Sequence, residues 1–168
     1  MDYKINYSKR KTIGLRIKNG ELYISAPYKT DSSVIDGIVK KHFKWIEKNL
    51  EKSRARSERF PELSSAEILE MKNKAKKYFS DKTAEYANTM GLKYGRITIT
   101  SAKTRFGSCS HKKNICFSYR LMRYPEAARE YVIVHELSHL VHMNHSADFY
   151  KYLERFMPDY KERRRLLK

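Results

Sequence analysis

Histidines are concentrated near the C-terminal end of this 168-residue sequence, where four of the six lie between positions 135 and 145. His135 and His139 flank Glu136 in the pattern HExxH. On an α-helix this spacing puts both imidazoles on one face, about 6 Å apart along the axis. Glu136 lies about 100° around the helix, where its carboxylate can reach a water on the same ion. The pattern predicts a zinc site with Glu136 as a general base.

A third ligand has to follow the HExxH helix in the sequence. His142 lies on the same helical face as His139. In a continuous helix it would be about 10 Å along the axis from His135, too far to share one ion. His142 is therefore a candidate for a solvated side chain at the helix end, a hydrogen-bonding partner of a ligand, or a proton donor.

His145 can reach the ion only if the helix ends and the chain turns back. Metzincins have a glycine at this turn, in the position that His142 occupies here. We expect the helix to end near Asn144 and Asn144 to make the turn, because asparagine tolerates the left-handed conformation. The sequence favours His145 as the third ligand. The alternative that stays open is an acid on the last helix, Asp148 or Glu154.

The periodicity of apolar residues predicts the elements that position these side chains. Helical spacing indicates helices over about 65–90, from Pro125 to near Asn144, and over about 146–156, where Pro158 ends the last one. Alternating residues between the first two indicate two or three strands, including a hairpin over 104–120. A turn at 111–114 would pair Ser110 with Ile115 and so place Cys109 opposite Cys116. Two free thiols are favoured over a disulfide or, with His111, a second metal site.

The first 60 residues have their own pattern. The segment TIGLRIKNGELYISAP alternates strictly around Asn19-Gly20, the strongest short hairpin signal, with Lys18 opposite Glu21. A helix is expected to start after an N-cap at Asp31–Ser33 and to turn an apolar face inward. That face comprises Ile35, Ile38, Val39, Trp45 and Ile46. The following EKSRARSERFPE indicates a linker or frayed end.

Composition limits the classes of protein. No apolar run is long enough to span a membrane, and the first residues lack the apolar core of a signal peptide, so we expect a cytoplasmic protein. The 36 Lys and Arg residues exceed the 19 Asp and Glu residues, a net charge of +17. Such a charge favours contact with nucleic acid, or serves solubility alone.

The wider pattern resembles one known family. The segment VIVHELSHLVHMNHSADFY, preceded by RFGSCS and ICFSYRL, is similar to the YgjP-like metal-dependent hydrolases, relatives of the SprT and WLM zincin peptidases. The similarity extends over nearly the whole chain, although Phe106 and Tyr150 stand where tryptophan is common. The resemblance implies one Zn²⁺ held by His135, His139 and His145, with a glutamate base. It implies no particular substrate.

In zincins, the strand before the active-site helix lies beside the cleft and pairs with extended substrate. The resemblance assigns this part to the 104–120 hairpin. Arg105 and Ser108 are then candidate contacts of substrate carbonyls, with an ion pair as the alternative for Arg105. His142 and Asn144 complete the set of candidate residues around the site.

We therefore predict an α+β, zincin-like metallopeptidase domain, with an HExxH helix and an antiparallel sheet beside it. An N-terminal hairpin and helix module over 1–60 is expected to precede a catalytic domain over 61–168, with one compact unit as the alternative. The expected activity is zinc-dependent cleavage of peptide bonds in protein or peptide substrates. Two alternatives stay open: a basic nucleic-acid-associated protein with a structural zinc, and a hydrolase of non-peptide amides.

Overall fold

A computed structural model describes residues 2–168, and the chain divides into two compact units between Glu62 and Leu63. The first unit contains strands β1 (Tyr3–Ser8), β2 (Gly14–Lys18) and β3 (Glu21–Pro27), followed by helices α1 (Ser32–Lys41) and α2 (Phe43–Arg59). Each unit has its own buried apolar cluster. Across residues 2–168, no helix combines the length and apolar character that a membrane crossing requires.

The predicted hairpin of the first unit is present. Asn19 and Gly20 have φ values of 52° and 76°, and Lys18 pairs with Glu21 across the strands. The carboxylate of Glu21, however, accepts hydrogen bonds from Lys4, whose Nζ lies 2.8 Å away. Lys4 belongs to β1, which pairs in parallel with β3 and gives a sheet of order β1-β3-β2. Strand β1 was not predicted from the sequence.

The helical part of the first unit differs from the expectation in two ways. His42 separates α1 from α2, and α2 continues to Arg59 through the segment that had been predicted as a linker. Trp45 was expected on the buried face but is 47% exposed. Asp31 does cap α1, by accepting a hydrogen bond from the backbone N–H of Ser33. The core comprises Leu22, Ile24, Ala26, Ile35, Val39 and Ile46.

The second unit begins with α3 (Ser65–Thr89). Ser64 and Glu67 form a reciprocal capping box at its start, and Gly91 follows its end with a φ of 65°. Both ends agree with the expected bounds, because side-chain caps and a left-handed glycine are local signals.

A three-stranded sheet follows, formed by β4 (Ile97–Thr100), β5 (Gly107–Cys109) and β6 (Ile115–Ser118) in the order β4-β6-β5. The sheet is mixed, since β5 is antiparallel to β6 but β4 is parallel to it. Cys109 pairs with Ile115 rather than with Cys116, because the backbone N–H of Ser110 bonds to the carbonyl of Asn114 and the turn is one residue shorter than expected. Both cysteines are free thiols.

The rest of the second unit is helical. A 3₁₀-helix (Tyr119–Arg123) leads into α4 (Glu126–Ser138), α5 (Ala147–Phe156) and α6 (Tyr160–Arg165). Most of the last three turns of α4 is buried. Helix α6 was not expected, because Pro158 was predicted to end the last helix. Arg163 of α6 donates a hydrogen bond of 2.6 Å to the carboxylate of Glu130 in α4, which fixes this short helix to the core.

Candidate metal centre

The C-terminal end of α4 carries the HExxH residues. His135 and Glu136 lie in its last turn, and His139 is the residue that caps it. His145 comes from the segment before α5. One ring nitrogen of each of these three histidines lies within 4.8 Å of the others. The Nε2 atoms of His135 and His145 are 3.0 Å apart, close to the roughly 3.3 Å between nitrogen ligands of tetrahedral zinc.

The turn that brings His145 to the site differs from the expected one. The helix ends at Ser138, well before Asn144. The backbone N–H groups of Val141 and His142 both donate to the carbonyl of Ser138, at 3.1 and 3.0 Å, so the chain leaves the helix through a tight final turn. Asn144 is exposed and does not adopt a positive φ. The prediction that Asn144 makes a left-handed turn was therefore wrong.

Each α4 histidine contacts a group that fixes its ring. The Nδ1 atom of His139 lies 3.0 Å from the backbone carbonyl of His142, and it must be the donor there because a carbonyl only accepts. The Nδ1 atom of His135 lies 3.4 Å from the hydroxyl of Tyr131, one turn earlier in α4. These contacts use the Nδ1 atoms and leave both Nε2 atoms available as metal ligands, and contacts of this kind orient metal-binding imidazoles.

Phe149 of α5 forms the apolar floor of the site. Its ring centroid lies 5.0, 4.6 and 4.9 Å from those of His135, His139 and His145, and it is fully buried. Burial lowers the pKa of His135 to about 3 and also lowers the pKa of His139. Neutral imidazole is the form that binds metal ions, so the burial prepares both rings as ligands.

Glu136 is the buried acid of the site, with 5% of its surface exposed. Desolvation raises the pKa of its carboxyl group to about 8, against the opposing charge of exposed Arg105. Within the described residues, its Oε2 atom has no hydrogen-bond partner. An unpaired buried carboxylate oxygen costs free energy unless a ligand or water satisfies it, which is typical of functional sites.

Gly107 makes room for Glu136. A methyl group on Gly107 would lie 2.5 Å from Oε1 of Glu136 and 2.8 Å from its Cγ and Cδ atoms. Strand β5 therefore contacts the acid directly through its backbone. From the sequence, Gly107 was only part of the RFGSCS motif of the family, and no contact with Glu136 was predicted. The contacts of Tyr131 and Phe149 with the histidines were also not predicted. Tyr131 could have been, because residues four apart on a helix are neighbours and Tyr131 is four residues before His135.

The remaining predicted residues lie around this centre without joining the ligand group. Ser108 is half-buried in β5, and the His142 ring packs against Tyr152 at 5.7 Å. Asp148 and Glu154 are both exposed, and the Oδ1 atom of Asp148 lies 3.8 Å from the Nζ atom of Lys151. In the part of the chain that the structure describes, the three histidines form the one group of side chains arranged to hold a metal. Neither the two acids nor the cysteines with His111 belong to it.

Comparison with known proteins identifies the family of this chain. The model of the YgjP-like metallopeptidase domain family matches residues 11–70 and 67–168. The chain therefore belongs to the YgjP-like family. Among solved structures, it is similar to the metallopeptidase zymogen abylysin from Pyrococcus abyssi, at 22% identity and a TM-score of 0.49. That similarity covers 53% of this chain and 90% of abylysin. No match to a curated protein was found.

Membership in the YgjP-like family identifies the chain as a metallopeptidase-type protein of α+β fold and indicates a metal ion at the histidine group. The family match runs through both compact units.

Proposed function

We propose that this protein is a zinc-dependent peptidase in which His135, His139 and His145 hold one Zn²⁺ and Glu136 is the general base. The observation that carries the proposal is the convergence of three imidazole nitrogens beside a buried carboxylate with an unpaired oxygen. Cytoplasmic location stays part of the proposal, consistent with two free thiols.

The donor set suits zinc in a catalytic site. Zinc accepts imidazole nitrogen readily, and catalytic zinc sites use three protein ligands, whereas structural sites are closed by a fourth. Among residues 2–168, no further His, Cys, Asp or Glu joins the three histidines. This open donor set supports the catalytic reading over a structural zinc in a nucleic-acid-associated protein.

The chemistry is divided between the ion and the protein. When bound, zinc supplies Lewis-acid chemistry, by polarising a carbonyl and making water more acidic. Glu136 takes the proton of the attacking water and delivers it to the leaving amine. Its burial and the space left by Gly107 hold the carboxylate in a water-poor position beside the histidines. Tyr131 and the carbonyl of His142 keep the two α4 imidazoles oriented.

A peptide substrate fits the sheet beside the site. Strand β5 is an outer strand of its sheet, and its Gly107 lies against Glu136. An extended peptide that pairs with this strand would pass close to the carboxylate, which favours peptides over non-peptide amides. Arg105 is exposed and its charge acts on Glu136, which supports the proposal that Arg105 meets a substrate carbonyl, with Ser108 further along in β5 as a second contact.

The proposal is tested by metal analysis together with digestion of an unbiased peptide library. We expect one equivalent of zinc in the purified protein. Glu136→Gln should keep the zinc and reduce cleavage by about 10²–10⁴-fold, whereas His139→Ala should lose the metal. Protein without stoichiometric metal would contradict the central claim. Metal-loaded protein in which Glu136→Gln changes nothing would instead point to structural zinc, and cleavage of amides but not peptides would change the substrate class.

A further inference from the structure

The first unit contains a groove of about 410 Å³ between strand β2 and helix α2. Its lining includes Leu15, Arg16 and Ile17 from β2, and Trp45, Lys52 and Arg56 from α2. Strand β2 is one of the two outer strands of the β1-β3-β2 sheet, so the strand that lines the groove also has an unpaired edge.

The open edge offers backbone hydrogen-bonding groups. The two-residue turn makes Lys18 and Glu21 a hydrogen-bonded pair, and such pairs alternate along an antiparallel ladder. Leu15 and Ile17 therefore direct their N–H and C=O groups away from β3. Within the described chain, these groups have no hydrogen-bond partner. An exposed edge of this kind is a template for an added strand.

The side chains around the groove are apolar or positively charged. Arg16, Lys52 and Arg56 are exposed, and none of them makes an ion pair with another described residue. No acidic residue contributes to the lining. Trp45, which is 47% exposed, supplies a large apolar surface beside these cations. The groove is thus complementary to a ligand that carries negative charge, apolar side chains and free backbone groups.

We propose that this groove binds an extended acidic peptide, which adds to β2 as a further strand. The backbone of the peptide would bond to Leu15 and Ile17. On the side of α2, its side chains would meet Trp45, Lys52 and Arg56, so this side combines apolar groups with carboxylates. On the opposite side of the sheet, a carboxylate would meet Arg16, which points away from Leu15 and Ile17. A second copy of this chain is a poor occupant, because its net charge is also strongly positive. Single-stranded nucleic acid could contact the cations and stack a base on Trp45, but it would leave the unpaired backbone groups of β2 without partners, so a peptide is the better occupant.

The test uses the full chain in its metal-free form, prepared with a chelator so that no probe is hydrolysed. The probe is a fluorescent peptide of about ten residues that carries both glutamate and valine or leucine on each face of the extended strand, and binding is followed by fluorescence anisotropy. Three comparison probes accompany it: the same peptide with lysine for glutamate, the acidic peptide with N-methylated backbone positions, and an oligothymidylate. We expect only the unmodified acidic peptide to bind well, and its affinity to fall with added salt.

Charge reversal locates the site. Lys52→Glu with Arg56→Glu should weaken binding by about tenfold or more, because two favourable pairs become repulsive. The matched control is Lys44→Glu with Lys48→Glu, which changes the same charge on exposed positions of α2 outside the groove lining. The control should change affinity by less than about twofold. Trp45→Ala should weaken binding without altering the salt dependence.

The outcomes separate the proposal from its rivals. Equal binding of the N-methylated peptide would overturn the added-strand mode, and equal losses in both double variants would overturn the location. An oligothymidylate that binds more tightly than the peptide, with the same dependence on Lys52 and Arg56, would make this a nucleic-acid surface. Absence of acidic-peptide binding would also refute the proposal. None of these results depends on whether the protein is a peptidase.

Discussion

Gly107 lies so close to Glu136 that a methyl group on its Cα would be 2.5 Å from the carboxylate Oε1 atom. We predict that Gly107→Ala displaces the buried acid and lowers peptidase activity by about a hundredfold, since small misplacements of a catalytic group are costly. Zinc content should be unchanged, because the three atoms nearest to the added methyl group all belong to Glu136 and none to a histidine. The control is Gly37→Ala in α1, where an added methyl group meets nothing within 4 Å. Equal activity of both variants would contradict a positioning role for Gly107.

The carbonyl of His142, rather than its ring, contacts the metal centre. We therefore expect His142→Ala to change zinc affinity by less than about threefold, whereas His145→Ala should weaken it by far more, through loss of a ligand. Competition with a chromophoric chelator measures both. A large loss in His142→Ala would show that the ring itself takes part.

Tyr131 contacts the Nδ1 atom of His135 through its hydroxyl at 3.4 Å. Removal of such a supporting contact typically costs 10–100-fold in metal affinity, and the length of this one predicts a loss of about tenfold for Tyr131→Phe. Tyr160→Phe is the control, because Tyr160 is also buried and its hydroxyl makes no hydrogen bond in the described structure. Equal affinities of the two variants would argue that Tyr131 only fills space.

Cys109 should react slowly with thiol reagents. Burial, the charge of Glu136 and the neighbouring Cys116 raise its pKa from 9.0 to about 11. At pH 8 the thiolate fraction then falls from about 10⁻¹ to about 10⁻³, so a Cys116→Ser protein should react with a disulfide reagent about a hundredfold more slowly than a free thiol. The rate should rise tenfold per pH unit up to about pH 11. Denaturant should restore the ordinary rate, and a plateau near pH 9 in the folded protein would contradict the burial.

Sequence patterns predicted local features well. The hairpin at Asn19-Gly20 and both ends of α3 follow from residues that lie next to each other in the chain. The His135 and His139 pair depends only on helical spacing. Pairings over longer separations were missed: β1 joins β3 in parallel, and α6 is held by the ion pair of Arg163 with Glu130. No local sequence pattern predicts such contacts, because each depends on an element that is distant in the sequence.

The last turn of α4 was missed for a different reason. The segment LVHMNHS has neither glycine nor proline, and Asn144, the residue expected to end the helix, lies six residues beyond the true end at Ser138. The helix stops because the backbone of 140–142 closes on Leu137 and Ser138, while α5 restarts from a cap at Ser146. A search that requires the metzincin glycine would pass over this sequence.

His145 directly precedes Ser146, whose hydroxyl accepts a hydrogen bond from the backbone N–H of Phe149 and starts α5. A metal ion bound through His145 therefore holds the first turn of this helix in place. Metal binding and ordering of this turn are then thermodynamically coupled, so loss of the metal destabilises the turn. We expect chelation to speed amide hydrogen exchange over 140–150 while α3 stays protected. Metal supply would then set how well ordered the start of α5 is, so the metal-free protein would be cleaved more readily by proteases in this segment.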